Sequence, residues 1–190
     1  MESLRGHSLA APVRGNIKGR LGHRIFGVVR KMSGGAVPRI VAQPGGREII
    51  ITTVYHAPRD KVWRAYTEPD LIKQWWGPRY LTTTIDKMEV RPGGIWRFVQ
   101  KDPEGNEYGF HGVYHELLRP ERIIQTFEWE GMPGHVSLEV AHFEEKDGKT
   151  TVTGVAVFET VEDRDGMIQS GMEKGVNEGA ERLAELLARI

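Results

Sequence analysis

The chain of 190 residues contains no cysteine. This absence excludes a disulfide framework, a thiol nucleophile, and zinc or iron–sulfur sites with cysteine ligands. No apolar run approaches the roughly 20 residues that span a bilayer, and the N-terminus lacks the continuous apolar core of a secretory signal. We therefore expect a cytoplasmic protein, and its length fits one globular domain.

The net charge is zero, with 26 basic and 26 acidic residues, but its distribution along the chain is uneven. Residues 1–46 hold eight Lys or Arg and one Glu, a net charge of +7, so residues 47–190 carry −7. An acidic body disfavours nucleic-acid binding, which needs clustered Lys and Arg on the folded surface. We therefore predict no nucleic-acid partner.

Residues 1–46 are rich in glycine and almost free of aromatic residues. Because such a composition buries too little apolar surface to offset the entropy of ordering, we predict a largely disordered, basic tail. Apolar residues recur at helical spacing from Ile17 to Met32, with basic residues mostly between them, which indicates a basic amphipathic segment. Only this segment suggests a membrane-surface or targeting role. The alternatives are a flexible tail or a natural start at Met32.

From residue 47 the pattern changes to that of an ordered α+β domain. β-Branched residues over 47–55 predict a strand, and Pro58 and Pro69 mark the starts of two short helices. Six strand-like segments separated by turn signals follow, and apolar spacing predicts one long amphipathic helix over 162–189. A curved antiparallel sheet of this kind must bury its apolar face on the only large helix available. We predict one domain over residues 47–190.

Alternation along the strands places many aromatic residues on one face of the predicted sheet. Gly112 and Gly154 would leave space on that face, and Gly171, Gly175 and Gly179 repeat every four residues in the last helix. The glycine stripe either brings the helix backbone close to its neighbours or leaves room for a ligand. We expect a cavity between sheet and helix, with ordinary close packing as the alternative. The candidate lining residues are Trp76, Trp96, Phe98, Phe110, Gly112, Tyr114, Phe127, Trp129, His142, Met172, Gly175 and Gly179.

Ionisable residues on the same strands are candidates for catalysis. Glu128, Glu139 and His142 are candidates to face inward, where a buried carboxyl or imidazole can act as a general acid or base. An enzyme would need a polar inward cluster such as Tyr114, His142 and Glu128. No GxSxG motif is present and no GxGxxG motif follows a strand, so the turns of hydrolases and dinucleotide-binding folds are missing. We predict no metal and no organic cofactor.

Several sequence motifs resemble those of one known family. They are APRDKVWRAYTEP (57–69), QWWGP (74–78), RPGGIWRF (91–98), PER (120–122) and GMEKGVNEG (171–179). In this order and spacing they are similar to the bacterial proteins related to the activator of Hsp90 ATPase, within the START and Bet v 1-like superfamily. The resemblance covers residues 47–190 and leaves the tail uncovered. It implies a helix-grip fold, with a curved antiparallel sheet around a long C-terminal helix and two short helices after the first strand.

The resemblance is far less specific for function, because the superfamily holds lipid carriers, hormone receptors, polyketide cyclases and a chaperone activator. We predict that the cavity binds a small apolar, aromatic or lipid-like molecule. One alternative is a polyketide cyclase-like or aromatase-like enzyme. The other is a regulator of an Hsp90-type chaperone ATPase that acts by protein interaction. The sequence does not indicate an oligomeric state.

Overall fold

The computed structural model of the protein describes residues 36–190 as one antiparallel sheet with four helices. The strands are β1 (Arg39–Val41), β2 (Glu48–Tyr55), β3 (Thr82–Met88), β4 (Ile95–Lys101), β5 (Glu107–Leu118), β6 (Arg122–Trp129), β7 (Ser137–Lys146) and β8 (Lys149–Val157). The helices are α1 (Arg59–Thr67), α2 (Pro69–Ile72), α3 (Val161–Gln169) and α4 (Met172–Leu187). The strand order is β1-β2-β8-β7-β6-β5-β4-β3. This arrangement confirms the predicted α+β helix-grip fold.

The turn between β7 and β8 shows how local sequence sets the register of the sheet. Asp147 and Gly148 have φ angles of 53° and 70°, which a two-residue hairpin turn requires at both central positions. The turn therefore pairs Phe143 with Val152, and both side chains lie on the inward face.

The core lies between the inward, concave face of the sheet and the helices. Phe143 is 1% exposed and contacts Trp63 and Tyr66 of α1 at ring-centroid distances of 5.5 and 5.1 Å. Leu183 and Leu186 of α4 are equally buried. Full burial of such side chains stabilises the domain by about 1.5–3 kcal/mol each, so this layer holds α1 and α4 on the sheet.

The ordered domain begins before residue 47. Ala36 is 8% exposed and belongs to the core, and β1 pairs with β2 so that Ile40 lies opposite Ile51. The domain therefore starts before the predicted residue 47. The sequence did not reveal this, because a strand as short as β1 shows no clear hydrophobic period. Residues 1–35, which include the predicted amphipathic segment, lie outside the described residues.

The predicted single C-terminal helix is two helices. Gly171 separates α3 from α4 with a φ of 81°, a left-handed conformation that ends a helix and that glycine adopts without strain. Its N–H donates to the carbonyl oxygen of Ile168 at 3.3 Å. The glycine stripe of the long helix is therefore reduced to Gly175 and Gly179.

Candidate functional site

An aromatic cluster occupies the part of the concave face that β4, β5 and β6 form. Its members are Trp76, Trp96, Phe98, Phe110 and Phe127. Trp76 lies edge-on to Phe98 and Phe110, with ring centroids 5.3 and 5.2 Å apart. Trp96 lies 4.9 Å from Phe98 and 6.1 Å from Phe127. Because these are contact distances for aromatic pairs, the rings fill this part of the concave face with one another.

Gly112 serves this packing and leaves no space. It lies opposite Trp96 in the pairing of β4 with β5. A Cβ atom at residue 112 would collide with the carbonyl oxygen of Thr126 and would lie 2.8 Å from Nε1 of Trp96. The glycine therefore allows the indole ring to lie against β5. Within residues 36–190 the buried Nε1 of Trp96 has no hydrogen-bond partner.

The other predicted strand residues lie apart from one another. Tyr114 faces inward and is 2% exposed, and burial raises the pKa of its phenol. Trp129 lies at the end of β6 and is 39% exposed, so the domain does not enclose it. His142 is exposed on the outer face, because its neighbour Phe143 takes the inward position. The expectation that His142 lines a cavity is wrong.

Glu128 also lies away from the concave face. Its Oε2 is 3.1 Å from Nε2 of His111, and its Oε1 accepts a hydrogen bond from the N–H of Gly134. With Glu128 and His142 both turned outward, the inward cluster that an enzyme would need, Tyr114 with these two residues, is not assembled.

The predicted residues of α4 differ in how closely they are packed. Gly179 is buried, and a Cβ atom there would lie 3.5 Å from the carbonyl oxygen of Trp75, in ordinary contact. Gly175 is half-buried, and a Cβ atom there would find only Cδ of Pro78, 3.9 Å away, among the described atoms within 4 Å. Met172 is half-buried in the first turn of α4. The helix thus contacts the backbone at Gly179 and leaves room at Gly175.

Arg182 of α4 fixes the segment that carries Trp76. Its Nη1 donates to the carbonyl oxygens of Gly77 and Pro78 at 2.8 and 3.1 Å, and desolvation lowers its pKa. From the other side, Oγ1 of Thr83 donates to the carbonyl oxygen of Trp76 at 2.8 Å. Trp76 is therefore positioned from both α4 and β3.

Free space on the concave face lies over the middle of β8. Val152 within this strand and Phe158 just beyond it are 5% and 7% exposed, but the inward residues between them, Gly154 and Ala156, are half-buried. A Cβ atom at Gly154 would have only the carbonyl oxygen of Ile51, 3.8 Å away on the neighbouring strand, within 4 Å. No helix atom of the described residues covers Gly154 at contact distance.

The neighbouring strand β7 also has half-buried inward residues between two buried ones, and they lie beside those of β8. Ser137 and Phe143 are 2% and 1% exposed, whereas Glu139 and Ala141 between them are half-buried. These two residues pair with the half-buried positions of β8. Partial exposure in the middle of the concave face, with buried residues at both ends, indicates a gap between sheet and helices. We call it the concave gap, lined by Ile51, Glu139, Ala141, Gly154 and Ala156.

Glu139 is the ionisable group of the concave gap. Its Oε2 accepts a hydrogen bond of 3.1 Å from Nε2 of Gln125, and burial raises the pKa of its carboxyl. In its protonated form a carboxyl both donates and accepts hydrogen bonds. Sequence reasoning considered Glu139 together with Glu128 and His142. Side chains alternate between the two faces of a strand, and Phe143 is buried on the inward face. Glu139, four residues earlier, therefore also faces inward, whereas His142 faces outward.

Two grooves mark the surface of the described residues. One, of about 480 Å³, lies along the first turns of α4 near Lys174. The other, of about 570 Å³, lies between α1 and the turn that joins β3 to β4, with Trp63 and Arg119 among its lining residues. Neither of these two grooves lies between the sheet and α4.

Residues 36–190 bring together no group of three or more His, Asp or Glu side chains placed to hold a metal ion. The helices of this region include none that is long and apolar enough to cross a membrane.

An eight-stranded antiparallel sheet whose inward face packs on a C-terminal helix defines a helix-grip domain. Residues 56–188 match the family model described as "Activator of Hsp90 ATPase homolog 1-like protein", and the chain belongs to this family. No functionally curated protein matches the chain.

Solved structures of bacterial proteins share the fold. A protein from Rhodobacter sphaeroides is 26% identical with a TM-score of 0.73, and the match covers 80% of this chain and 99% of that one. A protein from Nitrosomonas europaea is also 26% identical, with a TM-score of 0.68 and coverage of 78% and 98%. A protein from Mycobacterium smegmatis is 22% identical, with a TM-score of 0.72 and coverage of 80% and 96%.

Proposed function

We propose that the domain binds a small, mostly apolar molecule with at least one hydrogen-bonding group in the concave gap. The observation that carries this proposal is the partial exposure of inward residues in mid-strand, above all Gly154, over which no helix atom lies at contact distance. Ile51, Ala141 and Ala156 offer an apolar floor, which favours an apolar or aromatic body. Ligand sites in proteins commonly combine such a floor with a few placed polar groups.

Glu139 and Gln125 supply the polar groups of this site. The amide of Gln125 donates to Glu139, and the second carboxyl oxygen of Glu139 stays available to a ligand. A hydroxyl or amide on the ligand would satisfy this oxygen and compensate the cost of burying a carboxyl. The ligand therefore needs one polar group near one end.

Two other functions receive less support. A polyketide cyclase-like or aromatase-like reaction would need a second ionisable group in hydrogen-bond contact with Glu139, and among residues 36–190 its side chain bonds only to Gln125. Regulation of a chaperone ATPase is suggested by the family description alone. No contact in the described part of the chain favours it over ligand binding.

The test uses 2-naphthol as a flat, neutral probe with one hydroxyl, titrated into the full chain by calorimetry. Gly154→Val fills the gap and should weaken binding at least tenfold. The control is Thr153→Val, which places a valine on the outer face of the same strand and leaves the inward face unchanged. Equal binding by the parent and Gly154→Val, or no binding of 2-naphthol or related neutral aromatics to the parent, would contradict the proposal.

A further inference from the structure

The groove between α1 and the β3–β4 turn combines an apolar floor with an excess of positive charge. Trp63, Val90 and Leu117 supply the apolar surface, and Val90 is 39% exposed. Arg64, Arg91 and Arg119 border it, with Glu68 as the acidic residue of the lining. The volume of about 570 Å³ lies within the range of small-molecule sites.

The three arginines are not equally occupied by partners. Arg64 forms a two-point ion pair with Glu68, with N–O distances of 2.7 and 3.1 Å. Arg91 lies 3.1 Å from a carboxylate oxygen of Glu89, which also pairs with Lys87 at 3.2 Å. Among the described residues, Arg119 has no ion pair and no side-chain hydrogen bond. The pKa of Glu68 is lowered chiefly by its hydrogen bond from Arg64, and the nearby charge of Arg119 adds a smaller contribution in the same direction.

The charge count sets the kind of ligand. When the carboxylates of Glu68 and Glu89 are set against the three arginines of the groove, one positive charge remains. A guanidinium presents a planar fork that binds a carboxylate through two parallel hydrogen bonds. One such carboxylate on an apolar body would satisfy both Arg119 and the exposed floor.

We infer that this groove is a second binding site, for an amphipathic carboxylate whose head pairs with Arg119 and whose apolar body lies over Val90 and Leu117. The site shares no residue with the concave gap. Binding in the groove can therefore be tested independently of the function proposed for that gap.

The test titrates decanoate, below its micellar concentration, into the full chain by calorimetry. Arg119→Met keeps an unbranched side chain and removes the charge, so it should weaken decanoate binding at least tenfold. The matched control, Arg39→Met, changes an exposed arginine of β1 outside the groove and should leave binding unchanged. 1-Decanol, which lacks the charge, should bind the parent at least tenfold more weakly than decanoate.

Gly154→Val separates the two sites. If decanoate occupies the groove, this variant should bind it as the parent does. If Gly154→Val loses decanoate binding while Arg119→Met keeps it, decanoate binds in the concave gap. That result would overturn the proposal of a second site in the groove. The groove proposal is also overturned if decanoate does not bind to the parent, or if 1-decanol binds to the parent as tightly as decanoate.

Discussion

Substitution by alanine should raise the stability of the domain at Gly154 and lower it at Gly112, although both glycines lie on the inward face. At Gly154 a new methyl group meets only one atom at 3.8 Å, so alanine fits without displacement. Replacing glycine by alanine at a compatible position stabilises a protein by about 0.4–1 kcal/mol, chiefly because the unfolded chain loses freedom. At Gly112 the methyl group would collide with the backbone carbonyl of Thr126, and the strand would have to shift. Overpacking of this kind costs about 1–3 kcal/mol.

Thermal and urea unfolding of Gly154→Ala and Gly112→Ala measure this difference directly. For a domain of this size, 1 kcal/mol shifts the midpoint by roughly 2–4 °C. We therefore expect Gly154→Ala to raise the midpoint by about 1–4 °C and Gly112→Ala to lower it by about 2–12 °C. If Gly154→Ala lowers the midpoint as Gly112→Ala does, the space over β8 is filled and the domain has no gap there.

Three further predictions concern the core, the buried acid and the chain start. Trp96→Ala should lower the free energy of unfolding in urea by about 3–5 kcal/mol, because the indole ring is packed in the core, and Trp96→Phe should lower it clearly less. A small decrease in the alanine variant would show that the ring is not packed core. Burial raises the folded-state pKa of Glu139 above its ordinary 4.5, so the parent should lose stability as pH rises from 4.5 through the raised pKa. Glu139→Gln should escape that loss, and parallel pH profiles of parent and variant would contradict the shift. Deletion of residues 1–41 removes β1 and should lower the thermal midpoint more than deletion of 1–35; equal midpoints would show that β1 contributes no stability.

The fold was predictable because its signals are local and repeated. Alternation in the strands, turn residues such as Asp147-Gly148 and the prolines at the starts of α1 and α2 each specify backbone geometry over a few residues. The break between α3 and α4 was missed because Gly171 also fits a helical stripe of glycines. Its positive φ, which ends α3, is visible only in the folded backbone.

The site was less predictable because its space depends on what lies across from each residue. Alternation correctly turned Trp96 and Phe98 inward, but it could not show that these rings pack on one another and leave no room. Gly112 and Gly154 look alike in the sequence. What distinguishes them is the nearest backbone carbonyl: a Cβ atom at residue 112 would collide with the carbonyl oxygen of Thr126, whereas a Cβ atom at residue 154 would lie 3.8 Å from that of Ile51.

A domain that binds a ligand in the concave gap should retain that ligand through a mild purification. Native mass spectrometry of the full chain, purified from its own host without denaturation, should reveal a bound small molecule as added mass. The same preparation of Gly154→Val should lack that mass, while Thr153→Val keeps it. Added mass that persists in Gly154→Val, or a parent protein that carries none and binds no neutral aromatic probe, would contradict binding in the concave gap.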